Sequence, residues 1–154
     1  MTMERPETIV ISEFLDSIRD ACTALERAQP SNLQALLPKL THVLYAAEML
    51  RQCTLQVERD SLPELPREPP SIAGINERET FYIVFDPLDA ESVVQTTLRD
   101  CLDDVYKSLK RGIELLSHHP DRAMEIVWEL RMEYVFHWGR HLVDAIRYIF
   151  LTYQ

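Results

Sequence analysis

The chain has 154 residues and a mass of 18.0 kDa, enough for one domain that buries roughly 70 % of its unfolded surface without disulfide or metal staples. Its 46 % hydrophobic and 27 % charged residues are globular proportions, which exclude intrinsic disorder and a membrane bundle. The 16 basic residues against 25 acidic ones leave a net charge of -9, which repels a phosphate backbone and argues against nucleic acid as a partner.

Three scattered glycines, Gly74, Gly112 and Gly139, leave nothing with which to build a phosphate-cradling loop. Cys22, Cys53 and Cys101 are odd in number, widely spaced and set in helical patterns. They are expected to be buried reduced thiols, not a disulfide frame or a zinc site. Residues 1–7 are polar and the segment after them is amphipathic, so no export leader is expected. Apolar tracts are cut by charges well short of the roughly 18 residues a membrane helix needs. The expected location is the cytoplasm.

Helix one is expected over residues 8–28, where Ile11, Leu15, Ile18, Cys22 and Leu25 recur at steps of four and three. Helix two is expected over 31–59, with Ser31 as N-cap and Leu33, Leu36, Leu40, Val43 or Leu44, Ala47 and Leu50 as its stripe. Pro38 is a defect in that helix, resolved if the helix begins near Leu37 or a short turn precedes it. Residues 60–89 carry Pro63, Pro66, Pro69, Pro70 and Pro87 and form a connection. Its aromatic segment, Phe81 to Phe85, lies extended against the bundle or opens a helix. Connections beyond about 12 to 15 residues are lids or disordered, and the aromatic anchor favours a lid.

Helix three is expected over 90–118, capped by Asp89, with Val94, Leu98, Cys101, Val105, Leu109, Ile113 and Leu116 inward and Asp100, Asp103, Asp104 and Lys107 outward. His118 and His119 sit where they cap its C-terminus. Helix four is expected over 121–153, with Asp121 as its cap. The fold class is therefore all-α: an antiparallel four-helix bundle, one domain over 1–154, with a long Pro-rich connection between helices two and three.

Helix four carries two apolar stripes. Met132, Phe136, Gly139, Val143, Ile146 and Phe150 form one, with the spacing of an ordinary packing seam. A helix apolar over so much of its surface needs cover on both sides, which makes a homodimer an expectation. Gly139 costs about 1 kcal/mol against Ala in a helix and implies close approach of another backbone.

The second stripe runs Val127, Arg131, Tyr134, Trp138, His141, Ala145 and Tyr148. A guanidinium in an apolar arc needs a negative partner. Asp86 or Asp89 supplies it if the stripe is structural. If it is functional, Arg131, Tyr134, Trp138 and His141, with Asp86 nearby, form a site for a partner protein or a small anionic ligand. A separate signal is His137 and His141, four apart and able to chelate one metal ion. Glu133 and Asp144 lie near them, although both lean toward the solvent arc, and His42 of helix two is a further candidate ligand facing away from its own leucine stripe. The cofactor this implies is a divalent metal. The alternative is a solvated pair of histidines. No serine or cysteine stands out as a nucleophile.

Residues 127–149, with Trp128-Glu129-Leu130-Arg131, then His137-Trp138-Gly139-Arg140-His141 and Asp144-Ala145, resemble the bacterial family called domain of unknown function 5063. The Phe85-Asp86-Pro87-Leu88 segment is similar too. The resemblance covers about a third of the chain and implies a cytoplasmic helical protein without implying an activity. His42, His137 and His141 also resemble, more weakly, the histidine pattern of the DinB and YfiT-like metal-dependent bundles. That likeness implies a hydrolase or transferase using a metal-activated water or thiol. The chain departs from it in the outward direction of His42 and in the aromatic segment of the connection.

Overall fold

The computed structural model describes residues 6–57, 61–76, 78–84, 86–89 and 91–153. The fold is an all-α four-helix bundle with one small two-stranded sheet. Helix α1 spans Glu7–Glu26 and α2 spans Leu36–Arg51. Strands β1, Thr80–Val84, and β2, Val93–Thr97, form an antiparallel hairpin, with Thr80 opposite Thr97 and Val84 opposite Val93. Helix α3 spans Leu98–His118. The fourth rod is α4, Ala123–Glu133, then a π-helical turn at Tyr134–Trp138, then α5, Gly139–Thr152. In the bundle α1 packs on α2 and α3, and the fourth rod packs on the same two helices. The core runs through all four, from Phe14 and Ile18 through Leu40, Leu50, Leu102 and Leu109 to Trp138 and Leu142. Among the described residues no helix is long and apolar enough to cross a membrane.

The helix bounds depart from the periodicity in three places. A 3-10 turn over Pro30–Ala35 precedes α2, and the Asn32 side chain, not Ser31, caps it by accepting from the Gln29 N–H at 2.7 Å. Pro38 then falls in the first turn of α2, where no N–H is needed. At its other end α2 stops at Arg51, well before residue 59, because the chain turns at Gln52 and Cys53 and the Arg131 guanidinium takes the Cys53 carbonyl. A cation there also opposes the negative end of the helix dipole.

The third departure is at helix three, which begins at Leu98 and not at residue 90. Thr97 is its cap, accepting from the Asp100 N–H at 3.0 Å. Asp89 instead organises the hairpin turn, where its carboxylate accepts from Glu91 N at 3.0 Å and that of Asp86 accepts from Leu88 N at 2.9 Å. Ser92 ties this turn together, accepting from Asp86 N and donating to the Asp89 carbonyl, each at 2.8 Å. The β-branched run Val93, Val94, Thr96 and Thr97 suits a strand. Phe81 stacks on Tyr148 of α5 at 4.7 Å and fastens the hairpin to the bundle, so the aromatic segment is extended. Phe85 lies outside the described residues, as do Glu58, Arg59 and Asp60.

The orientation of the fourth rod inverts the roles of its two stripes. Tyr134, Trp138 and Ala145 are buried, while Phe136 is 77 % exposed and Val143 and Phe150 are also open. The seam-like stripe thus faces outward. A π turn inserts an extra residue into this rod at Tyr134–Trp138. Gly139 stands at its exit with its N–H on the Tyr134 carbonyl. The close approach it permits is to that same turn, not to another helix: a Cβ there would collide with the Tyr134 carbonyl oxygen and lie 2.8 Å from its ring.

Gly139→Ala is therefore expected to destabilise the fold by about 1 to 3 kcal/mol, although Gly→Ala in a helix ordinarily gains about 1 kcal/mol. Gly112→Ala should cost less, since its added Cβ meets only the Leu130 side chain. Urea unfolding of the two variants beside the wild type checks both the sign and the order.

Candidate metal centre

Three polar side chains from two helices converge where α3 passes α5. Asp104, His137 and His141 each offer one ligand atom, and these atoms all lie within 4.8 Å of one another. His141 Nε2 stands 3.3 Å from Asp104 Oδ2. Two ligands bonded at about 2.1 Å to one tetrahedral ion sit about 3.4 Å apart, so that pair already has the separation a shared ion requires. The His137 and His141 rings are edge to face, with centroids 5.2 Å apart. His137 is exposed and the other two are half-buried, so the cluster opens to solvent on one side.

That side is a groove of about 530 Å³ lined by Asp104, Lys107, Ser108 and Arg111 of α3, Glu133 and His137 of the fourth rod, and Glu64, Leu65, Glu68 and Pro69 of the connection. Arg111 pairs with Glu129 at 3.1 Å across the two helices. Burial pushes the Glu133 carboxyl above its ordinary value, Glu129 adds to this, and Arg111 and His137 oppose it. The connection is held near the groove by Asp103, which accepts from the Ile72 N–H at 2.8 Å, and by Arg122, which donates to the Ser61 carbonyl at 3.1 Å.

Of the metal ligands expected from sequence, the structure brings His137 and His141 together and places Glu133 in the same groove. His42 is elsewhere, in an apolar groove with Leu37, Tyr45, Ile146 and Phe150, so the three-histidine pattern is not formed. Asp104, which the helical stripe puts on the outward face, is instead the third member of the cluster. Nothing in the local sequence marks it, because its proximity to His141 arises from the packing of α3 on α5. The spacing of Asp104 one turn after Asp100 on a charged face reads only as a solvated helix surface.

The Arg131, Tyr134, Trp138 and His141 stripe does not assemble as one accessible site. Arg131 bonds the Cys53 carbonyl, and the hydrogen bonds of Asp86 stay within the hairpin turn. Tyr134 donates to Glu48 Oε1 of α2 at 2.6 Å. Trp138 is 0 % exposed, its indole N–H on the Leu130 carbonyl at 3.1 Å and its ring stacked against Phe14 at 6.4 Å. His141 faces α3. Tyr134 and Trp138 stay neighbours, their rings 4.9 Å apart, while Arg131 and His141 reach different helices. The buried thiols offer no nucleophile either, since burial pushes Cys22 up to about 12 and Cys101 up to about 11.

The architecture is a helical bundle carrying a histidine and aspartate cluster between two of its helices. The chain matches the family described as Domain of unknown function (DUF5063) over residues 7–153 and belongs to that family. Its fold is similar to that of protein BF1032 from Bacteroides fragilis, whose crystal structure superposes with a TM-score of 0.66 over 94 % of this chain and 93 % of that one, at 17 % identity. At that identity the likeness is one of fold. None of the curated proteins matches the chain.

The hydrogen bond from Tyr134 holds the Glu48 carboxyl below its ordinary value, with Arg51 adding to this. A lowered folded pKa contributes stability that is present above the ordinary value of 4.5 and is lost as pH falls through the folded value. Tyr134→Phe should cost about 1 kcal/mol at neutral pH and flatten the loss of stability on acidification. Urea midpoints measured from pH 7 down to pH 3 check this.

Proposed function

We propose that this protein binds one divalent first-row transition-metal ion through Asp104, His137 and His141, and presents it to a small molecule held in the adjoining groove. The observation that carries the reading is the convergence of three donor atoms of the right chemical kind, two imidazoles and a carboxylate, within 4.8 Å. Two nitrogens and one oxygen suit zinc, iron, cobalt or nickel. Three protein ligands leave coordination positions open, which is the mark of a catalytic site and not a structural one. The carrier helices are rigid and packed on each other, so the site does not depend on the connection for its geometry.

The reaction class served best is hydrolysis. A metal ion at this position would acidify a bound water and polarise an oxygen of the substrate. The chain's own contribution is a groove with both signs of charge. Glu133, whose burial raises its proton affinity, is placed to accept a proton within the groove. Lys107 and Arg111 on the α3 side are placed to hold an anionic part of a substrate.

Protein purified without chelator is expected to carry or take up close to one equivalent of zinc or cobalt per chain, measured by plasma mass spectrometry and by calorimetric titration. The His137→Ala, His141→Ala double variant should lose the metal and keep its helical circular dichroism. Tyr134→Phe should bind metal as the wild type does, which separates this site from the Arg131 stripe. A folded wild type that takes up neither ion would overturn the reading.

A further inference from the structure

His141 has a second nitrogen, and its surroundings are unusual. With Nε2 turned toward Asp104, Nδ1 points back into the protein, where it is buried and without a hydrogen-bond partner among the described residues. Asp144 lies three residues on along the same helix. Its Oδ2 is likewise buried and without a partner among the described residues. Burial holds the Asp144 carboxyl above its ordinary value, and the nearby charges of His141, Arg140 and Arg147 oppose this.

Two orphaned buried polar atoms so close in the chain are complementary. A neutral imidazole carries one N–H, and a histidine that ligates a metal through Nε2 must carry it on Nδ1. A buried N–H left unpaired is costly, and a buried carboxylate oxygen left unpaired is more so. Each atom supplies what the other lacks. Metal-bound histidines regularly donate their far N–H to a carboxylate, which fixes the tautomer and the ring plane.

Resting on the metal reading above, we propose that Asp144 is the positioning residue of the site: the two atoms are not bonded to each other in this structure, and when an ion is bound the carboxylate takes the Nδ1–H of His141 and thereby leaves the Nε2 lone pair free for the ion beside Asp104 and His137. The role is distinct from that of a ligand, because Asp144 acts through His141 and not on the ion.

The test is zinc affinity by chelator competition, joined to long-range proton–nitrogen-15 correlation spectra of the histidine rings, for the wild type, Asp144→Asn and Asp144→Leu. The amide keeps an acceptor oxygen and the leucine does not. Zinc binding should weaken in the order wild type, Asn, Leu, with the leucine variant weaker by about 10- to 100-fold, while its thermal stability without metal is unchanged or raised. In the zinc-loaded wild type His141 should carry its proton on Nδ1. Equal affinity in the wild type and the leucine variant, or a His141 protonated on Nε2 in the zinc-loaded wild type, would overturn the role of Asp144 and leave the metal site standing. A wild type that binds no zinc or cobalt would overturn both.

Discussion

The arrangement of this molecule depends on the π-helical turn at Tyr134–Trp138. A continuous α-helix would carry Arg131, Tyr134, Trp138 and His141 along one line. The wider turn breaks that line into three directions. Before it, Arg131 and Tyr134 reach α2 and grip the Cys53 carbonyl and Glu48. Within it, Trp138 fills the centre of the bundle against Phe14. After it, His141 turns to α3 and meets Asp104. A π turn is less favourable than the α turn it replaces and tends to persist where the surroundings hold it in place. Here the surroundings are specific: Gly139 leaves room for the Tyr134 carbonyl, and Trp138 is sealed with its one N–H satisfied.

With the rod fixed in this phase, the other helices divide its faces between structure and chemistry. On the α2 face the polar atoms of Arg131 and Tyr134 are engaged by backbone and carboxylate, beside a groove of about 400 Å³ lined by Glu48, Arg51, Tyr134, Arg140 and Asp144. The α3 face is partly open: Asp104, Lys107 and Arg111 line its groove, and the connection borders it with Glu64 and Glu68 as well as Leu65 and Pro69. Ile72 is held to Asp103, the immediate neighbour of Asp104, so the same turn of α3 anchors the connection and supplies a member of the cluster.

Much of the fold is legible in the sequence because helix packing writes a 3.6-residue period into it. The four rods, the break at Pro30 and the halt before Pro120 come from that period and from proline. The hairpin is only half legible. Phe81 to Val84 stands out as apolar, but Val93 to Thr97 runs directly into Leu98 and α3, so a helical stripe absorbs it. Its β-branched content, two valines and two threonines in five residues, is the available signal. The end of α2 is hidden because its cause, Arg131, lies far along the chain. For the site, the His137 and His141 pair is visible as a local spacing, whereas Asp104 is not, since partners on different helices leave no trace in either segment alone. The Arg131 stripe fails as an open site because its polar groups are taken by partners inside the fold, Cys53, Glu48 and Leu130, which no local spacing reveals.

Polar atoms stand unpaired beside this cluster, as does Glu79 Oε2 away from it, although other buried polar groups close on neighbours. Ser17, buried in α1, returns its hydroxyl to the Phe14 carbonyl at 2.7 Å, and the Trp138 indole finds Leu130. Such closures are the norm for buried polar groups. Around His141, among the described residues, the norm is broken at Nδ1 and again at Asp144 Oδ2, within one turn of helix and next to a groove. A purely structural histidine at this position would be replaced at little cost by an apolar residue of similar volume, which would also remove an unpaired nitrogen from the interior. Two imidazoles and a carboxylate whose donor atoms lie within 4.8 Å of one another, with an unpaired carboxylate oxygen one turn of helix away, make physical sense when their lone pairs serve a charge that arrives from outside the chain.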